Sequence, residues 1–411
     1  MKNLKFLLCL LIVVAASMLV FSACGTTEDT TQEPASTTTV TTTVATTTYI
    51  DYVERSVTPA EAIAEDELKV YGRYVELDGG AISCDFTACG IEFSAWCRGD
   101  VAVDIQVSQP ITGQGSVIGF YSIWVDGERI DTEVRKDSGK DTGYVSGTRV
   151  VKTQTVTLAT GLEEGLHTFK ILKQNNPRNC ISQINNIKFE GQLAPRPADK
   201  EILIEFIGDS LTAAYGNLGS SKSTDNGSAN IEDGTLSYAY LAAEKLDVDC
   251  SIIARPGIGM AFGTDSAANV QMADIYDLQC FWRSNSTKYE TKRVPDLVVI
   301  YLGTNDNSNG SSKGGASWLT TFDTKFRGLV DGLLERYGED TPILLLENRD
   351  ISNTGVGNKM KAIDTDYENV KLIPFTRHKS GAGSHASAAE CEIEANDLVA
   401  QLKTLYPDLF K

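Results

Sequence analysis

Between about residues 66 and 193, apolar and polar residues alternate in short runs: GIEFSAW, DVAVDIQV, YSIWVDGERI, TQTVTLATGL and LHTFKILKQ. A period of two sends successive side chains to opposite faces, so these runs predict half-buried strands, and Asp126-Gly127 predicts a two-residue hairpin. With no helical period among them, they predict an all-β antiparallel sandwich of the jelly-roll kind, bounded at residues 61–193. EGQLAPRPADKE, with Pro195 and Pro197, reads as a linker. After it the pattern changes. ILIEFIG, CSIIARPG, PDLVVIYLG, PILLLEN and VKLIPF are near-continuous apolar runs, as strands of a parallel sheet covered on both faces should be. Over 317–337, Leu319, Phe322, Phe326, Leu329, Val330, Leu333, Leu334 and Tyr337 recur at helical steps, and a last helix is expected from about 386 to 405. Five strands alternating with helices predict a three-layer α/β domain with a parallel sheet over residues 200–411. Its ligands should gather at the carboxyl ends of the strands.

The first 60 residues are of another kind. Residues 1–23, MKNLKFLLCLLIVVAASMLVFSA, have a basic start, an apolar stretch and small residues before Cys24, the layout of a bacterial signal peptide of the lipoprotein type. Cleavage before Cys24 and lipid attachment to its thiol would place the folded part outside the cell, anchored to the surface. Phe21 stands where such signals usually carry Leu, so simple secretion is the alternative, and the stretch is also long enough for a retained anchor. Residues 24–60 are expected to be a threonine-rich linker, because GTTEDTTQEPASTTTVTTTVATTTY has no apolar period with which to bury a face.

Composition narrows the partners. Fifty-five acidic residues against 37 basic ones give a net charge of −18, which opposes binding to nucleic acid or anionic headgroups and suits a soluble protein of neutral ligands. Apart from Cys9 and Cys24, seven cysteines remain, an odd number without a CxxC pair or histidine cluster, which argues against zinc. Cys84, Cys89 and Cys97 are expected to pack as small apolar residues or to form one bridge. No metal or organic cofactor is expected.

Three of the parallel strands end in polar or glycine-rich text: Gly208-Asp209-Ser210, then RPGIGM with Gly257 and Gly259, then LGTNDNS with Gly303, Asn305 and Asp306. Because the ends of parallel strands lie side by side, these segments should meet in one cleft. Ester hydrolysis needs a nucleophile, a base and donors aimed at the oxygen that becomes negative. Ser210 supplies a hydroxyl on a turn, and its backbone N–H, that of Gly257 and the side-chain amide of Asn305 supply an oxyanion hole. Among three histidines, His167 lies in the sandwich and His378 is flanked by Arg377 and Lys379, which leaves His385, at the entry to the last helix, as the base. Each element has a plainer reading: Asp and Ser are favoured helix N-caps, Asn305 suits a turn, the glycines suit loops.

Together these blocks resemble the SGNH, or GDSL, hydrolases, and the chain from about 66 to 410 is similar to the family two carbohydrate esterases. The resemblance rests on IGDSLTAAYG, Gly257, PDLVVIYLGTND and His385 in GSHAS, in that order, with GRYVEL, VDGERI and GLEEGLHTFKILK in the leading domain. It implies a serine acetylesterase acting on acetylated carbohydrate, with catalytic Ser210 and His385. In two places the chain departs from the family. The usual Asp before His-Pro is absent, with Ala382, Gly383 and Ser384 before His385, and Ala386 replaces Pro. A backbone carbonyl, such as that of Gly383, would then orient the imidazole, as the resemblance implies for dyad members. An esterase for another acyl group and a catalytically inactive carbohydrate-binding lipoprotein are the alternatives.

Overall fold

The computed structural model describes residues 50–110, 115–224, 227–264, 270–280 and 287–410. The leader, Cys24, the tether up to residue 49 and Trp282 lie outside the described residues, which form one compact unit.

The N-terminal half is built on a ten-stranded antiparallel sheet. The hairpin forms where expected: Ile118–Val125 returns as Glu128–Ile130, with Val125 opposite Glu128 and both Asp126 and Gly127 at positive φ. Two pairs of runs are not separate strands. GIEFSAW and DVAVDIQV join as Gly90–Ser108, and TQTVTLATGL and LHTFKILKQ join as Thr153–Lys173, paired with each other along most of their length. The register shifts between Thr157 and Gly165, and Gly99 and Gly161 take positive φ. An extra residue at a bulge breaks the alternation and bends the strand, so in the sequence one long strand looks like two. Glu54–Val57, in the stretch read as linker, pairs with Ile187–Glu190, and Pro59–Ala64 is a short helix with Thr58 and Glu61 as a capping box. Cys84, Cys89 and Cys97 pack in this half's core with Phe93, Val103 and Phe169; all seven described cysteines are free thiols.

In the C-terminal half the five strands lie where the apolar runs put them: Leu203–Gly208, Asp249–Ala254, Leu297–Tyr301, Ile343–Asn348 and Val370–Phe375. All are parallel, in the order second, first, third, fourth, fifth. Alternate side chains divide between two cores. Ile207, Val298, Ile300 and Leu345 pack with Phe322, Phe326 and Leu333 of the helix Trp318–Tyr337, whereas Phe206, Val299, Tyr301 and Leu344 pack with Ala395, Leu398 and Leu402 of the helix Ala388–Leu405. The strand order reverses between the first and third strands, and there the connecting loops part to opposite faces and leave a crevice above the carboxyl ends.

Candidate active site

The first strand ends at Gly208, where a side chain would displace Thr212: a Cβ would stand 2.0 Å from its hydroxyl. No helix follows. Residues 211–218 form consecutive turns, so Asp209 and Ser210 do not cap a helix at this strand end. The buried Asp209 accepts from the backbone N–H of Leu211 (2.9 Å) and from Asn305 Nδ2 (3.0 Å), while the Ser210 carbonyl accepts from Tyr215 N–H (3.0 Å). Burial pushes the Asp209 carboxyl up to about 7, against the pull of the Leu211 N–H, the Arg377 charge and Asn305. The turn is thereby fixed from beneath, and Ser210 is left at the floor of the crevice.

The loop after the second strand is held from the third. Asp306, fully buried, accepts from the backbone N–H groups of Met260, Ala261 and Phe262, each at 2.8 Å. Gly259 must lack a side chain, since a Cβ would approach Asp306 Oδ1 to 2.9 Å, and Gly257 takes φ +77°. Asn305 lies in the first turn of the next helix, Thr304–Gly314, and donates through Nδ2 to Asp209 and to the Ile258 carbonyl (2.8 Å). That pairing fixes the amide orientation, because a flipped amide would set oxygen against two acceptors. Among the described residues, the backbone N–H groups of Ser210 and Gly257 have no acceptor.

His385 arrives on a loop bonded to the Ser210 turn: Ala382 N–H donates to the Gly216 carbonyl (3.1 Å), and Ala388 N–H to that of Asn217 (2.8 Å). The loop also closes on itself, Gly381 N–H to the His385 carbonyl (2.8 Å), and Arg377 donates to the Ser384 carbonyl (2.8 Å). Within it Nε2 of His385 lies 2.7 Å from Ser210 Oγ, and Nδ1 lies 3.2 Å from the Ala382 carbonyl. Two backbone carbonyls meet the imidazole, that of Ala382 at this distance and that of the expected Gly383, on a loop where Gly383 and Ser384 both turn through positive φ. With Nδ1–H directed at a carbonyl, Nε2 is free to accept the Ser210 hydroxyl proton. Burial and then the Arg377 charge push the imidazole down to about 4.

Ser210, Gly257, Asn305 and His385 thus line one cleft of about 310 Å³, together with Arg178, Tyr215, Thr304 and Arg377. His378 is not there. Its Nδ1 and its backbone N–H meet the buried Glu394 at 3.1 and 3.0 Å, which fixes the last helix to the end of the fifth strand. His167 pairs with Asp126 in the antiparallel half. Trp318 packs over Gly310 against the core. Four residues of the site went unassigned from sequence: Asp306, Arg377, Arg178 and Tyr215, whose ring lies 4.8 Å from that of His385. Only Asp306, beside Asn305 at a strand end, carries a local signal.

Residues 204–409 match the GDSL-like Lipase/Acylhydrolase family. The chain belongs to that family. Over 267 residues this GDSL-family protein is 29% identical to the cellulase/esterase CelE of Acetivibrio thermocellus, covering 61% of this chain and 31% of that one. Over 214 residues it is 27% identical to an acetylxylan esterase / glucomannan deacetylase of Cellvibrio japonicus, covering 49% and 58%. It therefore spans less than two thirds of the length of either relative. A family two carbohydrate esterase from Clostridium thermocellum, solved in complex with cellohexaose, matches with a TM-score of 0.69 at 25% identity over 82% of this chain and 98% of that one. An acetyl xylan esterase from the rumen bacterium Butyrivibrio proteoclasticus shares the fold, with a TM-score of 0.70 at 14% identity over 86% and 98%. Both superpositions extend well beyond residues 204–409 and so take in the antiparallel half. The GDSL-family chain resembles the family two carbohydrate esterases along most of its described length.

Proposed function

We propose that the protein is an exported serine acetylesterase that removes O-acetyl groups from plant-type polysaccharides or oligosaccharides such as acetylated xylan or glucomannan, held at the cell surface through Cys24. The observation that carries this reading is the 2.7 Å contact between His385 Nε2 and Ser210 Oγ, in a cleft with two backbone N–H groups that have no acceptor among the described residues. The names of the relatives support the substrate.

In this reading Ser210 Oγ attacks the acetyl carbonyl while His385 Nε2 takes its proton. The oxygen that becomes negative meets the N–H groups of Ser210 and Gly257 and the Asn305 amide, as the catalytic dyad and oxyanion hole read from the sequence. The intermediate collapses as His385 returns the proton to the departing sugar oxygen. Water, giving its proton to His385, then attacks the acetyl-enzyme, and breaking the Ser210 ester bond releases acetate and restores the hydroxyl. The Ala382 carbonyl holds the tautomer but, being neutral, stabilises the imidazolium less than a carboxylate would.

Acetate release from acetylated xylan and glucomannan, compared with that by Ser210→Ala, tests the proposal. Release by the wild type alone is expected. Absence of release, or hydrolysis confined to longer acyl chains, would contradict it. Since His378 is held away from the cleft by Glu394, His378→Ala should leave kcat within about threefold of the wild type. A loss comparable to that of Ser210→Ala would move the base to His378.

The pH dependence follows from the environment of His385. The base acts when neutral and its conjugate acid is pushed down to about 4, so kcat/KM should hold steady from neutral pH to about 5 and fall below about 4. Free imidazole side chains would lose activity near 6.5. An acid limb at pH 6–7 in the measured kcat/KM profile would show that a counter-charge supports the imidazole after all.

A further inference from the structure

The lining of the cleft is opposite in sign to the net charge of the molecule. The protein carries −18 overall, yet the lining contains two arginines, Arg178 and Arg377, and no aspartate or glutamate. The two guanidinium groups are differently engaged. Arg377 is tied to the loop that carries His385 by its bond to the Ser384 carbonyl, with Asp350 at 3.9 Å. Arg178 comes from the antiparallel half, is exposed, and makes no ion pair among the described residues.

Its backbone is nevertheless built with care. Arg178 sits in the turn Asn175-Asn176-Pro177-Arg178-Asn179, where Asn176 Oδ1 accepts from Arg178 N–H (2.8 Å) and Asn179 N–H donates to the Asn176 carbonyl (3.1 Å). Both asparagine amides donate to one carboxylate, Glu232, Asn176 to Oε1 and Asn179 to Oε2 (2.5 Å). Glu232 belongs to the catalytic half and is 1% exposed. A buried carboxylate that spends both oxygens on a single turn, of which only Arg178 is exposed, fixes where that turn stands relative to Ser210. The residue so presented at the cleft is a cation near the Tyr215 hydroxyl, with no carboxylate paired to it among the described residues.

We propose that Arg178 is a specificity-determining residue that receives a carboxylate on the substrate, so that the preferred substrate is an acetylated oligosaccharide bearing a uronic acid near the acetyl group. The inference rests on the acetylesterase reading above. Guanidinium and carboxylate match in shape, and an open rim admits a branch that the floor of the cleft cannot hold. A contact made equally in the ground state and the transition state appears in KM rather than kcat. Being at an exposed rim, it weakens with salt.

The test compares kcat/KM for two matched substrates, acetylated xylo-oligosaccharides with and without a glucuronic acid branch, for the wild type, Arg178→Gln and Arg178→Lys. In low salt the wild type should prefer the acidic substrate by about tenfold, chiefly through KM. Arg178→Gln should bring the ratio to within about twofold of unity, Arg178→Lys should keep part of it, and 0.5 M NaCl should reduce it in the wild type. Equal rates for the two substrates in the wild type, or a preference retained in Arg178→Gln, would overturn the proposal. Should no acetyl ester be hydrolysed at all, the esterase reading fails by itself. Binding of the two oligosaccharides to the wild type and Arg178→Gln, measured by calorimetry, then decides the role of Arg178 in the same way.

Discussion

Replacing His385 with alanine is expected to lower kcat for acetyl ester hydrolysis by about 10⁴-fold or more while the protein stays folded. In the proposed mechanism the imidazole alone receives the Ser210 proton: its Nε2 is 2.7 Å from the hydroxyl, and no other described side chain bonds to that hydroxyl. Without it Ser210 is an ordinary alcohol with a negligible alkoxide fraction at neutral pH. The fold should tolerate the change because the loop is secured by backbone bonds, from Ala382 to Gly216 and from Ala388 to Asn217, that do not involve the ring. Circular dichroism and a thermal melt check the fold, and steady-state kinetics on a small acetyl ester checks the rate. A loss under tenfold would show that some other group is the base.

The second large effect is expected at Asn305. Asn305→Ala should lower kcat by about 100-fold or more and leave KM nearly unchanged, because an oxyanion donor acts on charge that exists only in the transition state. The resting structure sharpens this prediction. Both hydrogens of Nδ2 are already directed, one to Asp209 and one to the Ile258 carbonyl. Donation to the oxyanion therefore requires one of these bonds to be shared, and the neutral Ile258 carbonyl competes less well with a full negative charge than Asp209 does. Should Asn305→Ala lower the melting temperature but keep kcat, the amide is a brace between the nucleophile turn and the Gly257 loop. A loss confined to KM would make it a substrate-binding residue.

How much of this was legible in the chain varies with how local the signal is. A parallel strand buried on both faces must be apolar throughout, so all five could be read directly, and Gly208, Gly257 and Gly303 mark strand ends where crowding by the Thr212 side chain or positive φ disfavours side chains. That let Ser210, Gly257 and Asn305 be brought together on topology, whereas His385 was reached by elimination among three histidines and by the family resemblance. The long antiparallel strands were less transparent, since the bulges between Thr157 and Gly165 erase the alternation that defines a strand. Of the two backbone carbonyls that meet the imidazole, the sequence pointed to Gly383 and not to Ala382, because the approach of the second depends on the positive φ of Gly383 and Ser384. Nothing in the sequence joins Arg178 to the cleft. Its position depends on Glu232, 54 residues away, and on the packing of the two halves. Asp306 is intermediate: its neighbour Asn305 drew attention to the strand end, but a carboxylate capping three N–H groups of another loop is visible only once the chain is folded.

The central claim is that Ser210 is activated by His385 alone, with a backbone carbonyl in place of an acid residue. Covalent labelling of the purified protein with a fluorophosphonate, followed by mass spectrometry of the modified peptide, measures this without any assumption about the sugar. The account predicts a single adduct on Ser210, formed at a rate that holds down to about pH 5 and falls below about pH 4, and nearly absent in His385→Ala. No adduct on Ser210 in the wild type, or labelling of His385→Ala at the wild-type rate, would contradict it.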